Sequence, residues 1–149
     1  MSLPLSIRYS PNQCCRALAY LPTGDALVCG RNDGSVVVLD TTFASVDGTL
    51  PTKFELRDRQ QWIQVLKFDP SGDFLAVGSH DNFIDIYDTV GLMERAEPPA
   101  LLATCRGHSS FIKHLDWSQD GAYLRSNCGA YELLFWDRCG RALKKKIRR

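Results

Sequence analysis

No stretch of this chain approaches the roughly 18 consecutive apolar residues that a membrane-spanning helix requires. The opening residues, MSLPLSIRYS, are too short and too interrupted for a secretory leader. The expected compartment is therefore the cytoplasm. An excess of one charge sign is also missing. Eighteen Lys and Arg face 17 Asp and Glu, a net charge of +1, so the overall balance calls for neither nucleic acid nor a membrane surface. The six cysteines include no C-x-x-C pair, which points to free thiols rather than a disulfide framework. A zinc site from Cys128, Cys139 and His108 has the right residue types, but its spacing matches no usual pattern. Signatures of catalysis are absent as well. There is no G-x-x-x-x-G-K, no G-x-S-x-G and no H-E-x-x-H. No enzyme, cofactor, metal or small-molecule substrate is expected.

What the chain does have is repetition, the first thing to seek in a sequence. LAYLPTGDALVCGRNDGSVVVLD (Leu18 to Asp40), LKFDPSGDFLAVGSHDNFIDIYD (Leu66 to Asp88) and LDWSQDGAYLRSNCGAYELLFWD (Leu115 to Asp137) align without a gap. Asp40, Asp88 and Asp137 set periods of 48 and then 49 residues. Each unit reads as consecutive short strands. In the second, Ile63 to Phe68 ends at the turn Asp69-Pro70-Ser71-Gly72, where Pro presets φ and Gly accepts a positive value. Phe74 to Gly78 follows, then a turn at His80-Asp81-Asn82, then Phe83 to Tyr87. A fourth, weaker strand is expected near Leu101 to Cys105, and a stray one near Leu3 to Tyr9. The last repeat runs out around Arg141 to Ile147, where its own fourth strand belongs.

The strands are apolar on both faces. Ile63 and Val65 point one way, Leu66 and Phe68 the other. A sheet with one wet face would alternate more cleanly. Sheets stacked between neighbours would look like this, and stacking would then supply the main stabilising term, at roughly 25 cal/mol per Å² of apolar surface. No sustained 3.6-residue periodicity supports helices.

Gly107-His108 precedes the third repeat and Trp136-Asp137 closes it. These resemble the Gly-His and Trp-Asp signatures of WD40 repeats, whose usual length of about 40–45 residues is slightly shorter than the period here. The implied fold is all-β: three four-stranded antiparallel blades of a partial WD40-type β-propeller. It would cover 1–149, with repeats at about 10–60, 61–106 and 107–149. Propellers usually close with about 4–8 blades, so a piece of a longer protein or an assembly of copies is expected. In WD40 blades the His can bond a Ser/Thr and a turn Asp, tying strands together. The turn Asp is Asp33 in the first repeat and Asp81 in the second. The third has Ala130 there, so an incomplete network is expected. Asp33, Asp81, Gly107, His108, Trp136 and Asp137 are thus read as structural signature residues.

Two other groups look chemical. Ser79-His80-Asp81 has the residue types of a hydrolase triad, but contiguous residues at a strand end diverge. His114 and Asp116 share a strand face as a metal pair might, yet no third ligand is evident.

GHSSFIKHLDWS (Gly107 to Ser118), LAVGSHDNFIDIYD (Leu75 to Asp88) and YELLFWD (Tyr131 to Asp137) are more specific than a general WD40 match. In order and spacing they resemble the echinoderm microtubule-associated protein-like family, in the second of its two joined propellers. The resemblance covers about Arg16 to Asp137. It implies a non-catalytic surface that binds tubulin, microtubules or other cytoskeletal proteins, in the cytoplasm and on microtubules of spindle or cilium. The alternative is a WD40 adaptor for other protein partners without direct microtubule binding. The chain lacks the family's coiled coil, its hydrophobic motif and its first propeller.

The end of the chain is the one uneven region. Arg138, Arg141, Lys144, Lys145, Lys146, Arg148 and Arg149 place seven basic residues among the last twelve. Lys144, Lys145, Lys146, Arg148 and Arg149 are the candidate partner-binding residues, read either as a solvated end or as an electrostatic contact with an acidic polymer.

Overall fold

Three kinds of turn, each repeated down the chain, dictate the architecture. The first joins the opening pair of strands in every repeat. Its glycines, Gly24, Gly72 and Gly121, have φ of 83°, 79° and 67°, a region that costs other residues energy. In the second turn the left-handed position is held by Gly34, then Asn82, then Tyr131. The third begins at the aspartates that set the repeat period. Asp40, Asp88 and Asp137 each accept a hydrogen bond from the backbone N–H two residues on, at Thr42, Val90 and Cys139. An Asx turn of this kind lets the side chain support the reversal, beside backbone bonds such as Gly140 N–H to Asp137 O.

The computed structural model describes residues 13–43 and 46–143. Within them lie eleven strands and no helix. Strands β1 (Cys15–Tyr20), β2 (Ala26–Arg31), β3 (Val36–Asp40) and β4 (Thr52–Leu56) form one antiparallel sheet in chain order. Strands β5 (Ile63–Phe68), β6 (Phe74–Ser79), β7 (Ile84–Asp88) and β8 (Ala100–Cys105) form the second. The third contains β9 (Ile112–Trp117), β10 (Tyr123–Cys128) and β11 (Leu133–Asp137). The fold class is the expected one, with a difference in the last sheet: among the described residues it has three strands rather than four. A fourth begins there. Asp137 N–H donates to Arg141 O, Leu143 N–H donates to Phe135 O, and Trp136 bridges Ala142. The stray strand expected at Leu3 to Tyr9 lies outside the described residues.

The sheets stack through two apolar layers. The first contains Val28, Val36 and Val38 against Ile63, Leu66, Phe68 and Leu75. The second contains Ala76, Ile84 and Ile86 against Ile112, Leu115, Trp117 and Leu124. A single device locks each layer. A Cβ added to Gly30 would lie 2.3 Å from Ile63 Cγ2, and one added to Gly78 would lie 2.7 Å from Ile112 Cγ2. The isoleucine that opens each inner strand therefore sits in a notch left by glycine in the preceding sheet. At the matching place in the third sheet stands Asn127, whose Oδ1 lies 3.1 Å from His114 Nδ1.

Candidate functional site

The strands of each sheet are pinned by polar side chains, and each sheet uses a different set. In the third, His108 precedes β9 and reaches across the sheet. Its Nε2 lies 2.6 Å from Ser126 Oγ in β10. Ser126 Oγ also accepts the Trp136 indole N–H from β11, at 2.8 Å. Nδ1 lies 3.3 Å from Glu132 Oε2, and the Ser109 amide and hydroxyl donate to the same carboxylate at 2.9 and 2.8 Å. Gly107 leaves room for the indole, since a Cβ there would lie 3.1 Å from the Trp136 ring, a tight contact. The network expected to be incomplete at Ala130 is thus closed by Glu132, two residues further on. The longer glutamate reaches back from the start of β11 to the place a turn aspartate would occupy.

Electrostatics follow from this packing. Burial lowers the His108 pKa from its ordinary value, while the Glu132 carboxylate pulls the other way. Hydrogen bonds from the Ser109 amide and hydroxyl, and then from Cys128, hold the Glu132 carboxyl down at about 2.

Arg59 occupies in the second repeat the position of His108 in the third. Its Nε donates to Asp85 Oδ2 at 2.8 Å and its Nη1 to Asp81 Oδ2 at 3.3 Å. Thr104 Oγ1–H in β8 donates to Asp85 Oδ1 at 2.7 Å. Asp85 is fully buried. Burial pushes its carboxyl up, against the hydrogen bond from Thr104 and the charge of Arg59. The Tyr87 hydroxyl donates to Asp58, so β7 is tied to the β4–β5 connection twice. Cys105 lies beside this group, and burial, with Asp85 and Asp137 near it, pushes its thiol up to about 12. The first sheet is pinned at its edge, where Glu55 in β4 pairs with Arg31 and Arg57, and Arg57 also approaches Asp33.

A second feature lies on the surface. Arg16, Trp62, His80 and Phe111 form a row that crosses all three sheets. The Arg16 guanidinium carbon is 4.0 Å from the Trp62 ring centroid, Trp62 and His80 are 5.1 Å apart, and His80 stacks on Phe111 at 4.6 Å. His80 Nε2 also lies 2.9 Å from Gln64 Oε1. Beside the row, Arg106 stands 4.6 Å over Phe83. Trp62 is 41% exposed. Aromatic and arginine side chains held rigidly at a surface are the usual anchors of protein contacts.

The signature residues divide between these structures. His108, Gly107 and Trp136 meet in one network, whereas Asp33 and Asp81 serve as Asx turns that also pair with Arg57 and Arg59. Asp137 shapes the turn after β11 and accepts from Cys139 and Arg141 N–H. Lys144, Lys145, Lys146, Arg148 and Arg149 lie outside the described residues. In Ser79-His80-Asp81 the histidine turns to Gln64 and Phe111 rather than to its neighbours. His114 and Asp116 part company, to Asn127 and Arg125. Cys139 is exposed, apart from the buried Cys128 and His108, so the Cys128–Cys139–His108 combination does not form. The aromatic row went unread in the sequence, although Trp62 and Phe111 occupy one position of the repeat, immediately before Ile63 and Ile112.

Known proteins share this architecture. The chain overlays the β-propeller domain of Myceliophteria thermophila Cps50 (Swd1) with a TM-score of 0.73 at 20% identity, covering 89% of this chain and 43% of that one. It overlays the RRP9 WD40 repeats at 0.74 and 15%, covering 92% and 39%. At such identities the likeness concerns the fold alone. Closer in sequence is the ciliary WD repeat-containing protein ctxp80 of Euplotoides octocarinatus, 42% identical over 129 residues. The mouse echinoderm microtubule-associated protein-like 3 is 40% identical over 119 residues. The 77 kDa echinoderm microtubule-associated protein of Lytechinus variegatus is 38% identical over 123. These matches cover 86%, 80% and 83% of this chain but only 16%, 12% and 17% of the relatives. None of the five bears an enzyme's name. Residues 4–147 match the family described as the echinoderm microtubule-associated protein second beta-propeller. Repeat, fold and nearly the whole sequence agree, and the chain belongs to the echinoderm microtubule-associated protein family, in the region of its second β-propeller.

Proposed function

We propose that this chain is a non-catalytic scaffold segment that docks tubulin, microtubules or other cytoskeletal proteins. The observation that carries this reading is the row from Arg16 to Phe111. Stacked sheets hold it rigid, so little side-chain entropy is lost on contact. It offers aromatic faces ending in a cation, which suits a protein surface with apolar and acidic groups. Family membership supplies the class of partner. Lys144, Lys145, Lys146, Arg148 and Arg149 would add an electrostatic contact that weakens with salt. The compartment that follows is the cytoplasm and its microtubules, including those of spindle or cilium.

The test is co-sedimentation of the purified, monodisperse chain with stabilised microtubules across a salt series. Trp62→Ala and a variant lacking 143–149 are run beside it. Saturable pelleting is expected. Trp62→Ala should weaken it by about 2 kcal/mol, roughly thirtyfold, as expected of a contact hot spot. Loss confined to the shortened variant would move the site from the row to the basic end. A folded chain that stays in the supernatant at low salt would overturn microtubule docking by this segment and leave a different protein partner.

A further inference from the structure

We propose that His108, Cys128 and Glu132 form a binding site for a divalent cation of the zinc class. Their donor atoms lie within 4.8 Å of one another. Glu132 Oε2 is the centre of the group, 3.3 Å from His108 Nδ1 and 3.2 Å from Cys128 Sγ. Zinc bonds of about 2.0–2.1 Å to nitrogen, 2.3 Å to sulfur and 2.0–2.2 Å to carboxylate oxygen, at tetrahedral angles, place N and O about 3.4 Å apart and S and O about 3.6 Å apart. These two separations need to change by no more than about 0.4 Å, and the nitrogen and sulfur, which lie within 4.8 Å of one another, must close toward the roughly 3.6 Å that a tetrahedral ion sets. Imidazole, thiolate and carboxylate together suit zinc better than magnesium or calcium, which take oxygen ligands.

The surroundings are those of a supported site. Ser126 Oγ holds the far nitrogen of His108 and is itself held by Trp136. Ser109 grips both carboxylate oxygens of Glu132. Such outer contacts orient ligands and sustain affinity. The His108 side chain is 1% exposed and that of Glu132 36%. The carboxylate side is therefore the route of entry and the place for a water as fourth ligand.

Proton and charge balance are simple. The Cys128 thiol gives up its proton as sulfur binds the cation. The imidazole stays neutral, its proton moving from Nδ1 to Nε2, where Ser126 Oγ accepts it. One proton leaves and a dication enters, so the group passes from a charge of −1 to neutral. Affinity should accordingly rise with pH. Neither of the other sheets repeats the set: the positions of Cys128 and His108 are Ser79 and Arg59 in the second.

The experiment is a Co²⁺ titration of the reduced, chelator-treated full chain, followed by absorbance, with Zn²⁺ as competitor. One equivalent of Co²⁺ should produce tetrahedral ligand-field bands and thiolate-to-cobalt charge transfer, both abolished by one equivalent of Zn²⁺. Cys128→Ser should remove the charge-transfer band and weaken Zn²⁺ binding about tenfold or more, while Cys14→Ser and Cys139→Ser leave both unchanged. Circular dichroism confirms that each variant is folded. Should Cys128→Ser not fold, Glu132→Gln takes its place, expected to weaken Zn²⁺ by a similar factor with charge transfer retained at saturation. No charge-transfer band in the folded parent chain, a band that survives Cys128→Ser, or one lost with Cys14 or Cys139 would overturn the proposal.

Discussion

The second and third sheets solve one mechanical problem with opposite chemistry. Each must join the connection before its first strand to strands on the far side. The third uses a neutral imidazole between a serine and a glutamate at the site's edge. The second uses a permanent cation, Arg59, against the fully buried Asp85. Position in the repeat sets the task, and different residue pairs can perform it. The two differ in what happens when one partner is removed. A deleted imidazole leaves unfilled hydrogen bonds, whereas a deleted guanidinium leaves a buried charge.

That difference predicts the largest effect. Arg59→Ala should destabilise the chain by about 3–5 kcal/mol, the usual result of stripping the partner from a buried ion. Replacing Asp85 by Asn in the same chain should recover part of that loss. His108→Ala should cost less, about 1–3 kcal/mol, the range for leaving buried polar groups unsatisfied. Urea denaturation of the three variants measures both. Equal losses from Arg59→Ala and His108→Ala would show the two pins to be energetically alike.

The glycine notches sharpen the contrast between the sheets. Gly78→Ala pushes a Cβ to 2.7 Å from both Ile112 Cγ2 and Val65 Cγ1. Overpacking of this kind typically costs about 1–3 kcal/mol. Asn127→Ala, at the same place on the third sheet, removes only an exposed contact with His114 and should cost about 0.5 kcal/mol or less. Thermal unfolding of the pair reads the difference. A large loss from Asn127→Ala would mean that the outer face of the third sheet is packed rather than polar and open.

The two pins should also respond oppositely to acid. The His108 pKa is lowered, so the neutral form is favoured in the folded chain. Its contribution is complete above the unfolded value of about 6.5 and is lost as pH falls toward the folded value. Glu132, held at about 2, contributes fully above its ordinary 4.5 and loses that contribution as pH falls between the two. Asp85 is raised, so its own contribution is complete below its ordinary 3.8 and declines as pH climbs to the folded value. Denaturation midpoints should therefore drop on acidification below about 6.5. His108→Gln should flatten the upper part of the decline and leave the lower part, and an unchanged profile in that variant would remove His108 as its source.

The smallest effect concerns the second turn. Tyr131 holds a φ of 64° where the first repeat has Gly34, and its side chain is 91% exposed. Tyr131→Gly should stabilise the chain by about 1 kcal/mol through relief of left-handed strain, read as a small rise in unfolding midpoint. The same change at Asn82, a residue type that tolerates this conformation, should do less.

Much of this is legible in the sequence. The gapless repeats and their turn residues place β5, β6 and β7 within a residue of where they lie, because an Asx or glycine turn acts over four or five positions. Glu132 was hidden for a physical reason. A reading by equivalent position looks at Ala130, while a longer side chain two residues on reaches the same point in space. Cys128 and His108 were visible together as possible ligands, but Glu132 was not, since Cys139 stood beside them as the third residue of a ligating type and is exposed in the fold. The aromatic row had a signal in the alignment of Trp62 with Phe111, yet His80 joins them from a different turn.

By itself, then, the sequence determined the number of repeats, the order of strands and the places of the turns, all of which depend on φ preferences and on side-chain alternation along a few residues. The two-faced burial it implied holds for β2, β3, β6 and β7, whereas β1 and β10 alternate and β8 is largely exposed. Only the tertiary structure decided which polar side chains pin each sheet, that isoleucine fits glycine at the two junctions among the described residues, and that an imidazole, a thiol and a carboxylate converge. Those outcomes depend on distances of a few ångströms between residues far apart in the chain, set by how twisted sheets stack rather than by any local preference.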